Sequence, residues 1–333
     1  MNKIFKNKSI LITGGTGSFG KKFTEVFLKK FPNVKKIIIY SRDEFKQFEM
    51  KKKFLKLDKD LKLRFFLGDI RDSRRFEIAL NDIDYVIHAA ALKQVDTAEY
   101  NPIEYIKTNI IGAQNIVEAC AQRKSIKKVI ALSTDKASSP INLYGATKLC
   151  SDKLFIAANI FLGSSKFSVI RYGNVAGSRG SVIPFFLNQA NKKIITITDK
   201  KMTRFNISLE ESVNLVIWSL VNSIGGEIII PKLKSYKILD LAKAICKNCQ
   251  IKFIGKRPGE KLNEEMIASD ESSIKIDMGK FYILIPGDRK KKFSKMIKKF
   301  KGKIMPDDFQ YKSGQSNFLT EKELKKIVNS LKF

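Results

Sequence analysis

Histidine is almost missing from this sequence. Its 333 residues hold one, His88, against 63 lysines and arginines and 33 acidic residues, for a formal net charge of +30. An imidazole-built metal centre is thereby excluded. Cysteine is sparse as well, with four in all. Cys246 and Cys249 form a CxxC, but no second ligand pair stands at matching spacing, so no metal site is expected. The pair closes an apolar helical stretch, Leu239 to Ile245, rather than opening a helix. The cysteines are therefore read as free structural thiols, in keeping with a reducing compartment. Arginine is the minor base, eleven of the 63 basic residues. Nucleic-acid readers lean on arginine forks, so the charge is read as a lysine-rich solvated surface and no nucleic-acid partner is expected. No apolar run reaches the ~18–20 residues that span a bilayer. The start, MNKIFKNKSILITGG, runs into a glycine loop instead of a cleavage site. A soluble, cytoplasmic protein without a membrane partner is expected. Internal repeats and low-complexity linkers are absent too.

What is present is an alternation. SILITGG, KKIIIYS, RFFLGD, DYVIHAA, KVIALST and SVIRYG read as strands rich in Ile, Val and Leu. Helix-length amphipathic stretches separate them, the first two near Lys21–Phe31 and Glu44–Leu57. Strands apolar throughout, with helices between, indicate a parallel sheet covered on both faces. The expected fold is α/β, a doubly wound parallel sheet of the dinucleotide-binding kind. After about Tyr172 the alternation weakens and prolines punctuate the chain. Residues 1–175 are read as the cofactor-binding domain with the catalytic residues. Residues 176–333 are read as a smaller, partly discontinuous substrate lobe with some return to the first domain. Lys290–Lys303 carries Phe293, Met296, Ile297 and Phe300 at helical spacing among lysines, the pattern of a helix docked on the body or of one lying on a membrane surface.

The run from Thr13 to Gly20, TGGTGSFG, follows the first strand and opens a helix. Gly14 permits the tight turn, Gly17 the approach of a pyrophosphate, and Gly20 close helix–strand packing. Thr16, Ser18 and Phe19 lie in the same loop, and the helix N-terminus faces the phosphates. The second strand ends in Ser41-Arg42 rather than an acid, which favours the 2′-phosphate of NADP. Asp43 is read as the cap of the next helix. Asp69 and Ile70 end the third strand, placed either to meet the adenine or to form a strand-end turn. Ala89 and Ala91 suit close passage of a cofactor. His88, inside an apolar strand, is read as a core residue.

Tyr144 and Lys148 in YGATK stand four apart, on one helical face. An ammonium beside a phenol lowers its pKa and readies it to accept a proton from a sugar hydroxyl. The same lysine is a candidate to hold the nicotinamide ribose. Ser133-Thr134-Asp135-Lys136 ends the fifth strand, where ligands bind in doubly wound folds.

On ITGGTGSFGKKF, YSRDE, GDIRD, HAAALKQV, ALSTDKA, PINLYGATKLCSDKLF, RYGNVAGSRGSVIPFF, MTRF and RPGEKL, the chain resembles the extended short-chain dehydrogenases/reductases. Within them it is most similar to the inverting UDP-N-acetylglucosamine 4,6-dehydratases that begin pseudaminic acid synthesis. The resemblance implies NADP as cofactor, UDP-N-acetylglucosamine as substrate and a homo-oligomer, a dimer or higher. It implies that Thr134 binds the 4-oxygen, Tyr144 takes the 4-hydroxyl proton, Lys136 removes the carbon-5 proton and Asp135 protonates the departing 6-hydroxyl. Burial and Lys148 are expected to lower the pKa of Lys136. Lys93, Asn174, Arg179, Arg204, Arg257 and Glu260 are candidate substrate contacts, each also readable as a structural pair. Asp96 and Asn206 depart from the family pattern. A fucosamine-type dehydratase/epimerase and a non-catalytic NADP-binding sensor are the other readings.

Overall fold

The computed structural model describes residues 3–161, 165–178, 180–315 and 317–331. The first half runs β1 (Ser9–Thr13), α1 (Ser18–Lys30), β2 (Lys36–Ser41), α2 (Glu44–Phe54), β3 (Leu63–Leu67), α3 (Ser73–Ala79), β4 (Tyr85–His88), α4 (Val95–Tyr100), α5 (Pro102–Tyr105), a π-helical turn (Ile106–Ile111), α6 (Gly112–Ala121), β5 (Lys128–Thr134), α7 (Leu143–Phe161) and β6 (Lys166–Tyr172). The second half runs β7 (Asn174–Val175), α8 (Val182–Ala190), β8 (Ile194–Ile197), β9 (Thr203–Ile207), α9 (Leu209–Asn222), β10 (Ile228–Pro231), β11 (Ser235–Lys237), α10 (Ile238–Ile245), β12 (Gln250–Phe253), β13 (Glu265–Ile267), β14 (Ile274–Asp277), β15 (Phe281–Ile285), α11 (Lys290–Lys299), β16 (Lys303–Ile304), β17 (Tyr311–Lys312) and α12 (Glu321–Ser330). Every strand inferred from the apolar runs is present. The first two helices are shifted to Ser18–Lys30 and Glu44–Phe54. Asp43 caps the second, its carboxylate accepting from the Lys46 backbone N–H at 2.9 Å.

A ten-stranded sheet carries the molecule, in the order β16-β14-β15-β10-β6-β5-β4-β1-β2-β3. The seven strands from β3 to β10 pair in parallel. β15, β14 and β16 then extend the sheet antiparallel. The physical cause is visible within single strands. In β1, Ile10 and Ile12 join one core with Phe23, Phe27 and Ile37, while Leu11 joins the other with Ile38, Phe76 and Val86. Side chains alternate between faces along a strand, and helices cover both, so no strand position can be polar cheaply. β10 and β14–β16, all beyond residue 175, belong to this same sheet. A third core holds the remainder together, with Ile183, Phe186, Ile195, Tyr236 and Leu241 at its centre.

Two smaller features bear on the sequence reading. Helix α11 buries Phe293 and Met296 and turns its lysines outward, so it is docked on the body. Cys246 and Cys249 are joined by a disulfide rather than free. Cys246 caps the end of α10 and the chain folds back at once, leaving the two Cα atoms 5.4 Å apart, within bridging reach. Cys120 and Cys150 are the free thiols.

Candidate active site

The carboxyl ends of the parallel strands open into a cleft of about 1180 Å³. Its first wall is built by glycine. Gly14 has φ +64°, and a Cβ there would lie 2.9 Å from the Ala89 carbonyl carbon and oxygen. A Cβ on Gly20 would sit 2.3 Å from the Gly15 carbonyl oxygen. Loop, strand end and helix therefore touch backbone to backbone, and the start of α1 faces the cleft. This cradle fits a dinucleotide pyrophosphate on geometry alone. Thr16, Gly17, Ser18, Phe19, Ser41, Arg42, Asp69, Ile70, Ala89 and Ala91 line the same region. Arg42 stands 3.6 Å from Asp69, largely exposed at the rim. His88 is buried, with Nδ1 2.9 Å from the Thr13 hydroxyl. That hydroxyl accepts from the Ala89 and Ala90 backbone N–H groups. Burial pushes the His88 pKa down to about 3, so the ring stays neutral and its role is to brace the strand end.

The floor is where α7 meets the turn after β5. A Cβ on Gly145 would fall 2.3 Å from the Lys136 carbonyl oxygen. This close approach seats the first turn of α7 directly on the turn that holds Asp135 and Lys136. Tyr144 and Lys148, one helical turn apart, are both buried. Lys148 donates to the Leu132 carbonyl at 2.9 Å. Thr134 donates to Asp135 Oδ1 at 3.0 Å. Lys136 Nζ lies 3.1 Å from Asp135 Oδ1 and 2.9 Å from Glu264 Oε1.

The charges here differ from the sequence expectation. Burial works against the Lys136 ammonium, but Asp135 and Glu264 outweigh it and raise its pKa instead of lowering it. Burial raises the Asp135 carboxyl. Each of the two groups thus holds a proton more firmly than it would in water. Burial also pushes the Tyr144 phenol up to about 12, with Lys136 and the Thr134 hydrogen bond pulling the other way. The expected lowering of the phenol by Lys148 is not seen. Burial lowers the pKa of Lys148 itself, against the pull of Asp152.

Behind the floor runs a second buried charge network. Ser133 donates to Asp152 at 2.8 Å. Arg171 reaches Asp152 at 3.6 Å and Glu271 at 3.0 Å, and it donates to the Met266 carbonyl.

The inferred substrate contacts divide. Lys93, Asn174, Arg204, Arg257 and Glu260 all line the cleft, and Arg179 lies outside the described residues. Arg204 is buried and committed to protein. Its Nη1 donates to the carbonyls of Thr203, Lys261 and Leu262, and Nε stands 3.5 Å from Glu264. Arg257 pairs with Asp96 at 3.3 Å at the mouth. The Glu260 carboxylate accepts from the Arg257 backbone N–H. Sequence reasoning missed Glu264, which no local motif marks. Its neighbours Lys261 and Leu262 lie in the RPGEKL stretch, and that proximity was the one available signal. Among the described residues no group of three His, Cys, Asp or Glu side chains is placed to hold a metal. No helix among them is long and apolar enough to cross a membrane.

A glycine cradle at the head of a 3-2-1-4-5-6 parallel sheet, with Tyr and Lys on one helix turn beside it, defines a Rossmann-type enzyme of the short-chain dehydrogenase/reductase class. Comparison with known proteins narrows this. Residues 10–286 match the model of the polysaccharide biosynthesis protein family, and the chain belongs to that family. It is 52% identical, over 98% of both chains, to a UDP-N-acetylglucosamine 4,6-dehydratase (inverting) of Campylobacter jejuni. It is 42% identical, over 99% of this chain and 98% of the other, to a UDP-glucose 4-epimerase of Rickettsia bellii. Among solved structures, Pen from Bacillus thuringiensis superposes with a TM-score of 0.87 at 36% identity, over 98% of both chains.

Proposed function

We propose that this chain is a configuration-inverting UDP-N-acetylglucosamine 4,6-dehydratase, a hydro-lyase, with NADP as its catalytic cofactor. The observation that carries the reading is the Asp135–Lys136 pair, packed by Gly145 against the turn that bears Tyr144. An oxidoreductase that only moves hydride has no use for a buried acid–base pair beside its tyrosine. Bound NADP supplies reversible hydride acceptance at its nicotinamide.

The protein residues do the rest. Tyr144 accepts the proton of the sugar 4-hydroxyl, and Thr134 hydrogen-bonds the 4-oxygen. The ketone so formed acidifies the proton on carbon 5. Lys136 removes it, and Asp135 protonates the 6-hydroxyl as it departs as water. Carbon 6 then takes back the hydride that carbon 4 gave up, and protonation of carbon 5 from the opposite face inverts that centre. Gly14, Gly17 and Gly20 cradle the pyrophosphate, Arg42 meets the 2′-phosphate, and Lys148 holds the nicotinamide ribose. Lys93 and Asn174 from residues 1–175, and the mouth residues Arg257 and Glu260 from a lobe formed mostly by residues 176–333, contact the nucleotide sugar. We place the enzyme in the cytoplasm as a homo-oligomer, supplying the first intermediate of pseudaminic acid for flagellin or a surface glycan. Support comes from the cleft lining and from the identity to the C. jejuni dehydratase.

The deciding experiment is incubation with UDP-N-acetylglucosamine in D₂O, followed by proton NMR. A 4-keto-6-deoxy product, deuterated and inverted at carbon 5, is expected. Retention at carbon 5 removes Lys136 from its assigned role. A 4-epimer without loss of water replaces the reading with the epimerase activity named for the Rickettsia relative.

A further inference from the structure

We infer that Glu264 is the positioning residue for Lys136: its carboxylate fixes the Lys136 amine at the catalytic floor and stabilises the ammonium formed when that amine takes the carbon-5 proton. The inference rests on the dehydratase reading and deepens it. Nζ of Lys136 sits between two carboxylates, Asp135 Oδ1 at 3.1 Å and Glu264 Oε1 at 2.9 Å. Both acids are essentially buried, with side-chain exposures of 1% and 2%. Glu264 comes from the distant half of the chain and is held rigidly. Its backbone N–H donates to Ser313 Oγ at 3.0 Å, and its carbonyl accepts from the Ser313 N–H at 2.9 Å. Ser313 Oγ in turn lies 2.7 Å from Thr203 Oγ1. A carboxylate anchored in this way fixes the lysine, and not the reverse.

Two carboxylates around one lysine suit a base that must be remade in every turnover. At rest the three groups are one ammonium and two carboxylates. A proton passing from Nζ to Asp135 Oδ1 gives an amine, a carboxylic acid and one remaining carboxylate, with net charge unchanged. The amine then takes the proton from carbon 5. The electron pair of that C–H bond forms the carbon 5–carbon 6 double bond, and the carbon 6–oxygen pair leaves with the hydroxyl. Asp135 gives that hydroxyl its proton, releasing water. The cluster ends as one ammonium and two carboxylates, as it began. Glu264 stays charged throughout and offsets the ammonium at both ends of the cycle. Asp135 Oδ2 and Glu264 Oε2 are buried without a hydrogen-bond partner among the described residues, so each acid grips Lys136 through its other oxygen.

The other charged and titratable groups facing the cluster are Arg204, Lys261, Tyr144 and Tyr236. Arg204 is 3.5 Å from Glu264 and spends Nη1 on three carbonyls, while Lys261 donates to the Ser138 carbonyl. Neither stands as close to Glu264 as Lys136 does. Burial pushes the Glu264 carboxyl up, but Lys136 and Arg204 outweigh it and keep it below the usual range, which agrees with a permanent anion.

The test is Glu264→Gln, with Glu264→Asp beside it. Glu264→Gln is expected to lower kcat about 10- to 100-fold with KM within about threefold, the pattern of an interaction gained in the transition state. Its high-pH limb is expected to move down by at least one pH unit, because the shared proton is held less tightly. Glu264→Asp restores part of both. A ¹³Cε-lysine NMR titration, with the Lys136 signal assigned by its loss in Lys136→Met, is expected to show Lys136 titrating lower in Glu264→Gln than in wild type. A Glu264→Gln enzyme that binds NADP normally and matches wild type in kcat and pH profile overturns the inference, as does a loss confined to KM. If Glu264→Gln does not bind NADP, Glu264→Asp decides, and a wild-type profile there overturns it. Should wild-type enzyme form no 4-keto product, the dehydratase reading fails, while the NMR titration still reads the grip of Glu264 on Lys136.

Discussion

Two populations of lysine stand side by side in this molecule. Lys136 lies under the cleft between two buried carboxylates. The lysines of α11 and the turn after it stand in solvent, and none of Lys290, Lys291, Lys292, Lys295, Lys298, Lys299, Lys301 and Lys303 has an ion-pair partner among the described residues. One residue type thus sits in a buried ion cluster at one place and on solvated surface at the other. The difference is desolvation. In water a unit charge is weakly coupled to its neighbours, whereas in a buried cluster each neighbour sets its protonation state. The net charge of +30 therefore says little about function, and one buried lysine says much.

The contrast can be broken or sharpened by substitution, and the largest effect is expected at the floor. Lys136→Met should lower the dehydration rate by at least about 10³-fold while NADP binding, followed by fluorescence, is retained. Activity within tenfold of wild type would remove Lys136 from the chemistry. Next comes the network behind the floor. Arg171→Met leaves Asp152 and Glu271 buried without their cation, which should cost about 3–5 kcal/mol in urea unfolding. A loss under 1 kcal/mol would show that water reaches the pair.

The single histidine gives a pH dependence of intermediate size. His88 titrates near 3 in the fold against about 6.5 when unfolded. The unfolded chain therefore binds more protons between these values, and stability is complete above pH 6.5 and falls as pH falls toward 3. From pH 7.5 to 5 this amounts to about 2 kcal/mol. In His88→Gln that part of the acid slope should flatten in thermal melts, and an unchanged slope would assign it to other groups.

At the rim, Arg42→Ala should weaken NADP about tenfold, roughly 1.4 kcal/mol, and leave NAD binding nearly unaltered; equal loss for both cofactors would deny contact with the 2′-phosphate. The smallest effect is expected on the surface. Replacing Lys291, Lys295 and Lys298 together with Gln should change stability by no more than about 0.5 kcal/mol and leave kcat as it was. A fall in kcat/KM that salt reproduces in wild type would mean that the surface field gathers the anionic substrate after all.

These comparisons also mark what was legible in the sequence. The strands could be read because burial on both faces forces unbroken apolar runs. The glycine cradle could be read because Gly14 and Gly20 answer to local sterics. The Tyr144–Lys148 pair could be read because helical spacing is local. Glu264 could not, since its contact with Lys136 is made by chain closure across the fold. Without it the direction of the Lys136 shift came out reversed: burial was legible, and the carboxylate that overrides it was not. The protein partners of Arg204 were illegible for the same reason, because they are backbone carbonyls of a loop that no motif places beside it.

The placement of β10 in the parallel sheet, with Glu264 beyond it, has a consequence for the order in which the protein comes into being. During synthesis the cofactor cradle and the Asp135–Lys136 turn emerge long before the carboxylate that completes the cluster. A nascent chain halted after β6 has its glycine loop, Tyr144 and Lys136, yet lacks the Glu264 carboxylate beside Lys136. The Lys136–Glu264 ion pair forms only when the chain beyond β10 folds back onto the turn after β5.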